Sequence, residues 1–234
     1  MLYLKKISYL LWLFPLLQSC VVSNQLFYNQ GHPTGKGKIH GYAGLGTGLT
    51  PKIDSINNRG KIFFSESMKT APVAALGMQG GIGPKADFRA SLHLPYIFGG
   101  VGLKLGVQRS FFDSSSFFNM APGVDLGFVF SKDSITFLKS TSAIDKTVNH
   151  SVNADFFIPL SFRINPTTYF ILTPRYSITG FNIRHNQFGT HGYSYKLFMP
   201  ILTSGLKTEK VYVEASALKY LEYYIPQFGI VYCF

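Results

Sequence analysis

Charged residues are scarce in this chain, since Asp, Glu, Lys and Arg make up only 14% of its 234 residues. An average soluble protein has about 25%, so long, solvent-exposed helices rich in charged residues are not expected. After residue 17 the sequence also lacks any apolar run near the ~20 residues that a membrane-spanning helix needs. If the polypeptide crosses a membrane, it must therefore do so as strands of a closed barrel.

Cysteine is almost absent, with Cys20 and Cys233 as the two examples. At most one disulfide within the chain is possible. If neither is chemically modified, an exported chain could pair them in an oxidising compartment.

Aromatic residues and glycine are abundant instead, with 22 Phe, 14 Tyr and 23 Gly. This mixture is typical of many strands joined by tight turns. The formal net charge is +11, but Lys and Arg are scattered singly. An anionic membrane surface is as good a partner for such a chain as nucleic acid. The aromatics lie in alternating rows, which fits lipid contact better than base stacking, so no nucleic-acid partner is expected.

The N-terminal residues have the form of an export signal. Lys5 and Lys6 precede the apolar segment 7–17, which is 11 residues long. That length is too short for a spanning helix and suits a secretory signal peptide.

The segment Leu17-Gln18-Ser19-Cys20 resembles the lipobox of bacterial lipoproteins, although Gln is an unusual residue at the second position. The resemblance implies cleavage after residue 19 and a lipid anchor, with acyl chains such as palmitate, on Cys20. Residues 1–19 are then a lipoprotein signal peptide, 20–36 a tether and 37–234 a barrel. No acidic residues directly follow Cys20, which favours the inner leaflet of the outer membrane. The alternative is an ordinary secretory signal followed by an incidental cysteine.

The remaining sequence alternates between apolar and polar or small residues. In "VGLKLGVQ", for example, Val101, Leu103, Leu105 and Val107 share one face. About ten such segments are present, and they predict an all-β, antiparallel, up-and-down transmembrane barrel of about 10 strands, with 8 or 12 as alternatives. The predicted strands are 37–48, 72–83, 85–96, 99–111, 117–131, 150–164, 167–181, 192–205, 209–219 and 223–234.

The last strand ends at the final residue of the sequence. Phe228, Tyr232 and Phe234 share one face of "PQFGIVYCF". This end resembles the C-terminal strand of bacterial outer-membrane barrels. The resemblance implies that the barrel-assembly machinery reads these side chains as an assembly signal.

Charged and polar residues occur opposite the apolar rows. A Lys or Arg facing lipid at the bilayer midplane would cost about 2–4 kcal/mol, so these residues are expected to face the lumen as mutually paired charges. The predicted lumen cluster contains Arg89, His93, Lys104, Asp125, Asp155, Arg163 and Glu214.

Motifs for chemistry are weak, and neither an enzyme nor a cofactor or metal site is expected. Ser91 and His93 share an inward face, and a hydrolytic triad with Asp125 or Asp155 is conceivable, but no nucleophile elbow accompanies them. His185 and His191 share a predicted loop, where solvated histidines are more common than metal ligands.

The function expected from these features is structural or interactive at the cell surface. The outer loops 49–71 and 132–149 form the expected contact surface, and their basic residues would meet acidic groups of lipopolysaccharide. These residues are Lys52, Arg59, Lys61, Lys132 and Lys139. The alternatives are a narrow pore for small solutes, a lipid-modifying barrel enzyme, and a lipid-anchored soluble barrel in the periplasm.

Overall fold

The computed structural model describes residues 30–56, 62–95, 100–135, 145–184, 192–220 and 222–234. The described segments form twelve strands: β1 (Ile39–Ile56), β2 (Ile62–Gly81), β3 (Ala86–Pro95), β4 (Gly100–Arg109), β5 (Phe118–Met120), β6 (Gly123–Ile135), β7 (Asp145–Phe157), β8 (Leu160–Asn165), β9 (Thr168–Arg184), β10 (Gly192–Lys207), β11 (Val211–Tyr220) and β12 (Tyr223–Cys233). Among these residues, no helix is long and apolar enough to span a membrane.

The strands close into an antiparallel barrel with ten wall positions. Ladders join β1 to β2, β2 to β3, β3 to β4, β4 to β6, β6 to β7 and β7 to β9, and the ring continues through β10, β11 and β12 back to β1. Eight of the wall positions are filled by one strand each. The other two are filled by β5 with β6 and by β7 with β8. The predicted barrel of about 10 strands is confirmed.

Two wall positions are interrupted at prolines, which cannot donate a ladder hydrogen bond. Pro122 separates β5 from β6, and Pro159 separates β7 from β8. Neighbouring amides bridge the breaks, since Ala121 N donates to Pro159 O at 3.1 Å and Ile158 N donates to Pro174 O at 3.1 Å. The ranges 117–131 and 150–164 were predicted as continuous strands, and each is instead divided in two: β5 and β6 have 3 and 13 residues, and β7 and β8 have 13 and 6.

The two faces of the wall have opposite chemistry. Alternate residues point outward and are apolar and exposed, while their neighbours point inward and are buried. Each wall position contributes at least one exposed apolar side chain, for example Leu45, Leu76, Leu92, Leu103, Leu126, Val152, Tyr176, Leu202, Val213 and Ile230. These residues form what we call the apolar belt.

Both ends of the described chain lie at the same end of the barrel, here called the terminal end, and the opposite end is called the far end. β1 and β2 contain 18 and 20 residues, whereas β3 and β4 contain 10 each. β9 and β10 are also long, at 17 and 16 residues. The β1–β2 hairpin therefore extends beyond β3 at the far end, and β10 extends beyond β11, whereas β9 ends level with Val148 of β7.

The predicted loops at the far end are corrected by this extension. Range 49–71 was predicted as a loop, but β1 continues to Ile56 and β2 begins at Ile62. Range 132–149 shortens similarly, because β6 reaches Ile135 and β7 begins at Asp145. An existing hairpin can extend its backbone ladder without an apolar face, so the polar sequence there was a poor guide to where the strands end. Ladder irregularities between Pro51 and Ser55 accompany the extension.

Candidate functional site

A layer of charged side chains lies inside the middle of the barrel. Arg89, Lys104, Asp125, Asp155 and Glu214 are each 5% exposed or less, and Arg175 is equally buried. Strand alternation turns each of them inward, and the barrel wall keeps them from water. Two ion pairs run across this charged layer: Arg89 Nη2 lies 3.4 Å from Asp125 Oδ2, and Lys104 Nζ lies 2.6 Å from Asp155 Oδ2.

A glycine makes room for the first ion pair. Arg89 on β3 and Asp125 on β6 are separated by β4, where Gly106 is the register partner of both residues. A Cβ atom at Gly106 would lie 1.8 Å from Asp125 Oδ1 and 2.7 Å from Val124 O. The carboxylate therefore occupies the space that a side chain at residue 106 would need.

The second ion pair has further polar support. Asn153 Nδ2 donates to Asp155 Oδ2 at 3.2 Å, from the same inward face of β7. The Arg89 guanidinium also lies 4.9 Å from the ring centroid of Phe157, a cation–π distance. With these contacts, four of the six buried charged residues are joined in two ion pairs.

The predicted lumen cluster is not one cluster in space. Arg89, His93, Lys104, Asp125, Asp155 and Glu214 are buried inside the wall, whereas Arg163 is half-buried near the terminal end. Arg163 donates to the backbone oxygens of Ser114 and Ser115. Sequence reasoning missed Arg175, although the alternation in "LTPRYSIT" places it on the inward face together with Thr173 and Ser177.

Ser91 and His93 form a close pair inside the wall. Ser91 Oγ lies 2.6 Å from His93 Nε2, and both residues are buried on β3. His93 Nδ1 has no hydrogen-bond partner among the described residues, so no carboxylate orients the imidazole as a triad requires. The pair has the contact of a nucleophile and base but lacks the third member.

The terminal end of the barrel is covered from inside by residues 30–34, which we call the plug. The side chains of Gln30, His32 and Thr34 are buried. Range 20–36 was expected to be a tether. The described portion of it, residues 30–36, enters the barrel mouth before reaching β1.

Hydrogen bonds hold the plug to several wall strands. Gly31 N donates to Ser161 Oγ at 2.9 Å, and Gln108 Nε2 donates to Gln30 O at 2.8 Å. Thr34 N donates to both carboxylate oxygens of Asp87, at 3.1 and 3.2 Å. Because these partners lie on β8, β4 and β3, the plug spans the opening from one side to the other.

The chain leaves the plug through a tight turn. Gly35 and Gly37 have φ angles of 92° and 75°, a region that side chains rarely adopt. Gly37 N donates to Gly81 O at 2.8 Å, and Gly81 N donates to Lys38 O at 2.9 Å. The turn is thereby fixed to the end of β2, and it directs the chain out of the mouth and into β1.

A cavity of about 440 Å³ lies between the plug and the wall at the terminal end. We call it the mouth cavity. Four basic side chains line it: His32 from the plug, His40 from β1, Arg163 from β8 and Lys207 from β10. Lys207 Nζ also donates to Gln30 Oε1. The cavity has no Asp or Glu in its lining.

His32 is the titratable group of the plug. Burial lowers the pKa of His32 below its usual value, a backbone hydrogen bond with Ser116 opposes this, and repulsion by Arg163 and Lys207 lowers it further. Its Nε2 lies 3.1 Å from Ser116 O, and its ring lies 4.7 Å from that of Tyr169. The neutral imidazole is therefore favoured at neutral pH.

The C-terminal strand turns its aromatic residues outward. Phe228 and Tyr232 are exposed on the outer face of β12, and Phe234, directly after the strand, is also exposed. Phe234 N and O each bond to Gly41 at 2.9 Å, which closes the barrel at β1. Cys233 points inward and is buried in an apolar cluster with Tyr42 and Tyr212, and it forms no disulfide with another described residue.

Other predicted sites are only partly described. Cys20, His185 and His191 lie outside the described residues. Within the described ranges, no group of three or more His, Cys, Asp or Glu side chains is arranged to hold a metal ion.

Comparison with known proteins found similarity in structure only. No family model matches the chain, and no curated protein matches it in sequence. An outer membrane channel from Pseudomonas putida F1 matches with TM-score 0.45 and 10% identity, covering 89% of this chain and 99% of the channel. The translocator domain of autotransporter NalP from Neisseria meningitidis matches with TM-score 0.42 and 11% identity, over 85% and 88%. Ail, the attachment invasion locus protein of Yersinia pestis, matches with TM-score 0.30 and 14% identity, over 85% and 99%. These similarities are too weak to assign a function to this chain.

Proposed function

We propose that the protein is a non-conducting barrel of the bacterial outer membrane, with a structural or surface-contact role and no enzymatic activity. The observation that carries this proposal is the combination of an apolar belt outside and a buried charged layer inside. The belt supports a place in lipid, and the burial of the inward charges supports a closed lumen.

The membrane location rests on the chemistry of the outer face. Leu, Val, Phe and Tyr side chains are exposed around all ten wall positions. A water-soluble monomer rarely exposes a continuous apolar surface of this size, whereas a barrel in lipid requires one. The strands of 10 residues, such as β3 and β4, also have the ~9–11 residues needed to cross the hydrocarbon core.

The closed lumen rests on the burial of inward charges. In a water-filled pore the inward side chains contact solvent. Here the six charged side chains of the layer are at most 5% exposed, and four of them form two ion pairs. The plug adds a second closure at the terminal end. The narrow-pore alternative therefore requires both closures to open.

The surface-contact role rests on the unequal strand lengths. The β1–β2 and β9–β10 hairpins exceed the spanning length by several residues and project at the far end. Lys52 is on β1 and Lys132 on β6, while Arg59, Lys61 and Lys139 lie outside the described residues. We infer that acidic lipopolysaccharide groups contact this end.

The proposal also includes roles for Cys20, for the aromatic residues of the C-terminal strand and for the Ser91–His93 pair. Cys20 carries a lipid anchor in the proposed mature protein, and the barrel-assembly machinery recognises the outward side chains of Phe228, Tyr232 and Phe234. The incomplete Ser91–His93 pair supports a protein without hydrolytic activity.

Two measurements on the membrane-extracted protein test the proposal. A shift in gel mobility on boiling in detergent is expected, because an intact barrel resists unfolding at room temperature. Release by mild washing with no shift would overturn the membrane location. In planar bilayers the protein is expected to give no steady conductance. Stable open channels would overturn the closed lumen and establish the pore.

The contact role has its own test. Neutralising Lys52, Lys61 and Lys132 together should weaken binding to lipopolysaccharide-containing vesicles. Neutralising the terminal-end residues Lys36, Lys85 and Lys210 gives a variant with the same loss of charge and should leave binding unchanged. Equal binding by the two variants would remove the far end as the contact surface.

A further inference from the structure

We propose that the mouth cavity is a binding site for a molecule that carries a phosphate group. The cavity collects two cations, Arg163 and Lys207, and two histidines, His32 and His40, from four separate segments of the chain, with no carboxylate in its lining. This site is independent of whether the barrel conducts, because it lies at the terminal end and below the charged layer.

Arg163 provides the strongest indication of an anionic ligand. Its guanidinium donates to Ser114 O and Ser115 O, and to Tyr169 Oη at 3.1 Å, all of which are neutral acceptors. Its Nε is buried and has no hydrogen-bond partner among the described residues. The guanidinium also lies 5.4 Å from the Tyr169 ring centroid. Arg163 is therefore held rigidly in place without a carboxylate among these partners.

Lys207 approaches the same space from another side of the mouth. It lies at the end of β10, is half-buried, and donates to Gln30 Oε1. Arg163 and Lys207 both lower the pKa of His32 by charge repulsion, which indicates that the two positive charges converge on the plug. A planar guanidinium fork and a lysine point charge are the two side chains that proteins use most for phosphate.

The nearest carboxylate of the plug region is already engaged. Asp87 accepts hydrogen bonds from Thr34 N and from the side chains of Gln79 and Gln108, the Gln79 bond being 2.8 Å. Asp87 is completely buried and does not line the cavity. Asp87 therefore does not face the cavity, and its oxygens are engaged by Thr34, Gln79 and Gln108.

The size and lining of the cavity define the ligand class further. A volume of about 440 Å³ is within the range of small-molecule sites, about 300–1,000 Å³, and exceeds what one phosphate group needs. Tyr169, Ile171 and Pro33 supply apolar surface, and Ser114, Ser115 and Ser161 supply hydroxyls. A phosphate ester with a short polar organic part fits this combination. It can come from a soluble solute or from a phospholipid headgroup at the membrane surface.

Titration calorimetry of the purified full-length protein in uncharged detergent tests the site. Glycerol 3-phosphate is the soluble probe, and glycerol at equal concentration is the control for its organic part. Saturable binding of glycerol 3-phosphate is expected, with affinity reduced at least about tenfold in Arg163→Gln and in Lys207→Gln, since each removes a charge-assisted hydrogen bond. Lys210→Gln removes the same charge from the neighbouring turn, outside the cavity lining, and should bind like the natural protein.

The lipid source is distinguished in a second arm. The same variants are placed in nanodiscs of phosphatidylcholine with or without phosphatidylglycerol, and the hydrogen exchange of residues 30–36 is measured. Slower exchange with phosphatidylglycerol that depends on Arg163 and Lys207, without glycerol 3-phosphate binding, would identify a headgroup site.

The outcomes that overturn the proposal are defined by the same variants. The proposal is overturned if glycerol 3-phosphate does not bind and phosphatidylglycerol does not slow the exchange of residues 30–36. It is also overturned if Lys210→Gln loses as much affinity as Arg163→Gln and Lys207→Gln, since that would indicate a nonspecific charge effect. Arg163→Lys is a control for a folding defect caused by loss of charge, because it keeps the positive charge and loses only the planar guanidinium group. Each variant is first checked for the mobility shift on boiling. A correctly folded Arg163→Gln variant that binds normally would also exclude the site.

Discussion

Cationic side chains at two heights of the lumen have different kinds of partner. In the charged layer, Arg89 and Lys104 are each within 4 Å of a carboxylate. At the mouth cavity, Arg163 contacts only neutral oxygen acceptors among its hydrogen-bond partners. The first arrangement pairs two cations with carboxylates of the chain itself, which supports the proposed closed lumen. The second leaves a cation without a carboxylate among these partners, which supports the proposed binding site.

The difference also concerns which residues the barrel needs for stability. Two charges that are buried together offset the cost of their desolvation, but one charge left alone does not. The charged layer should therefore be sensitive to loss of one partner. A half-buried cation near an open cavity remains partly hydrated and should tolerate substitution much better.

The largest expected effect follows from removing one charge of the layer. Lys104→Met leaves the carboxylate of Asp155 buried without its ammonium partner, 2.6 Å away in the natural protein. We expect a loss of about 3–5 kcal/mol in the free energy of unfolding, measured by urea denaturation in vesicles or micelles. The double variant Lys104→Met/Asp155→Leu should recover part of the loss.

Lys85 supplies the matched control for this substitution. It pairs with Asp113 at 3.1 Å, but both side chains are well exposed. Lys85→Met should therefore change stability by only about 0–1 kcal/mol. Similar losses for the two lysine variants would contradict the view that Lys104 and Asp155 form a closed, dry layer.

The next effect concerns the outer face of the same wall. Leu126 is exposed near the middle of the β4–β6 ladder, where it pairs with Leu105. Leu126→Arg should cost about 2–4 kcal/mol if this height is the bilayer midplane, measured by the same denaturation in vesicles.

Ile39 tests the depth dependence, because it is exposed at the first residue of β1. Ile39→Arg should cost only about 0–1 kcal/mol near the membrane interface. If the two arginines cost the same, the apolar belt does not have its centre at Leu126, and the proposed position in the membrane must be revised.

A smaller and local effect is expected at the plug. Asp87→Asn replaces a carboxylate that accepts the Thr34 amide at 3.1 and 3.2 Å and the Gln79 amide at 2.8 Å. The plug should lose about 1–3 kcal/mol of local stability, seen as faster hydrogen exchange at Thr34 N with little change in global unfolding. Asp113→Asn, on the exposed carboxylate, should leave Thr34 exchange unchanged. Unaltered exchange in Asp87→Asn would mean that other contacts hold the plug.

Strand alternation explains why most of the fold was predictable from the sequence. A period of two assigns each side chain to a face, so the inward charges on β3, β4, β6 and β7 followed directly from the residue pattern. The same pattern gives no height along the barrel axis. Arg163 lies at the mouth because β8 ends at Asn165 and the chain turns there into β9, which begins at Thr168.

The plug could not be predicted for a different reason. Residues 30–34 are "QGHPT", which has no periodicity and contains turn-forming residues. Their position depends on partners far away in sequence, since Gly31 and Ser161 are 130 residues apart. Local composition correctly indicated an irregular segment. Its position in the barrel mouth depends on the hydroxyl and carboxylate groups of the wall that bind it, and these are distant in sequence.

The smallest expected effect is a pH dependence that involves His32. Burial and the charges of Arg163 and Lys207 lower the pKa of His32 in the folded protein, while in the unfolded chain the pKa is near its usual ~6.5. The unfolded state therefore binds more protons, so stability is full above about pH 6.5 and decreases as the pH falls toward the folded pKa. Denaturation midpoints at pH 8, 7, 6 and 5.5 should show this decrease. In His32→Gln the slope should be smaller across the same window, because glutamine keeps a polar group at the plug and does not titrate. An unchanged slope in His32→Gln would assign the pH dependence to other groups.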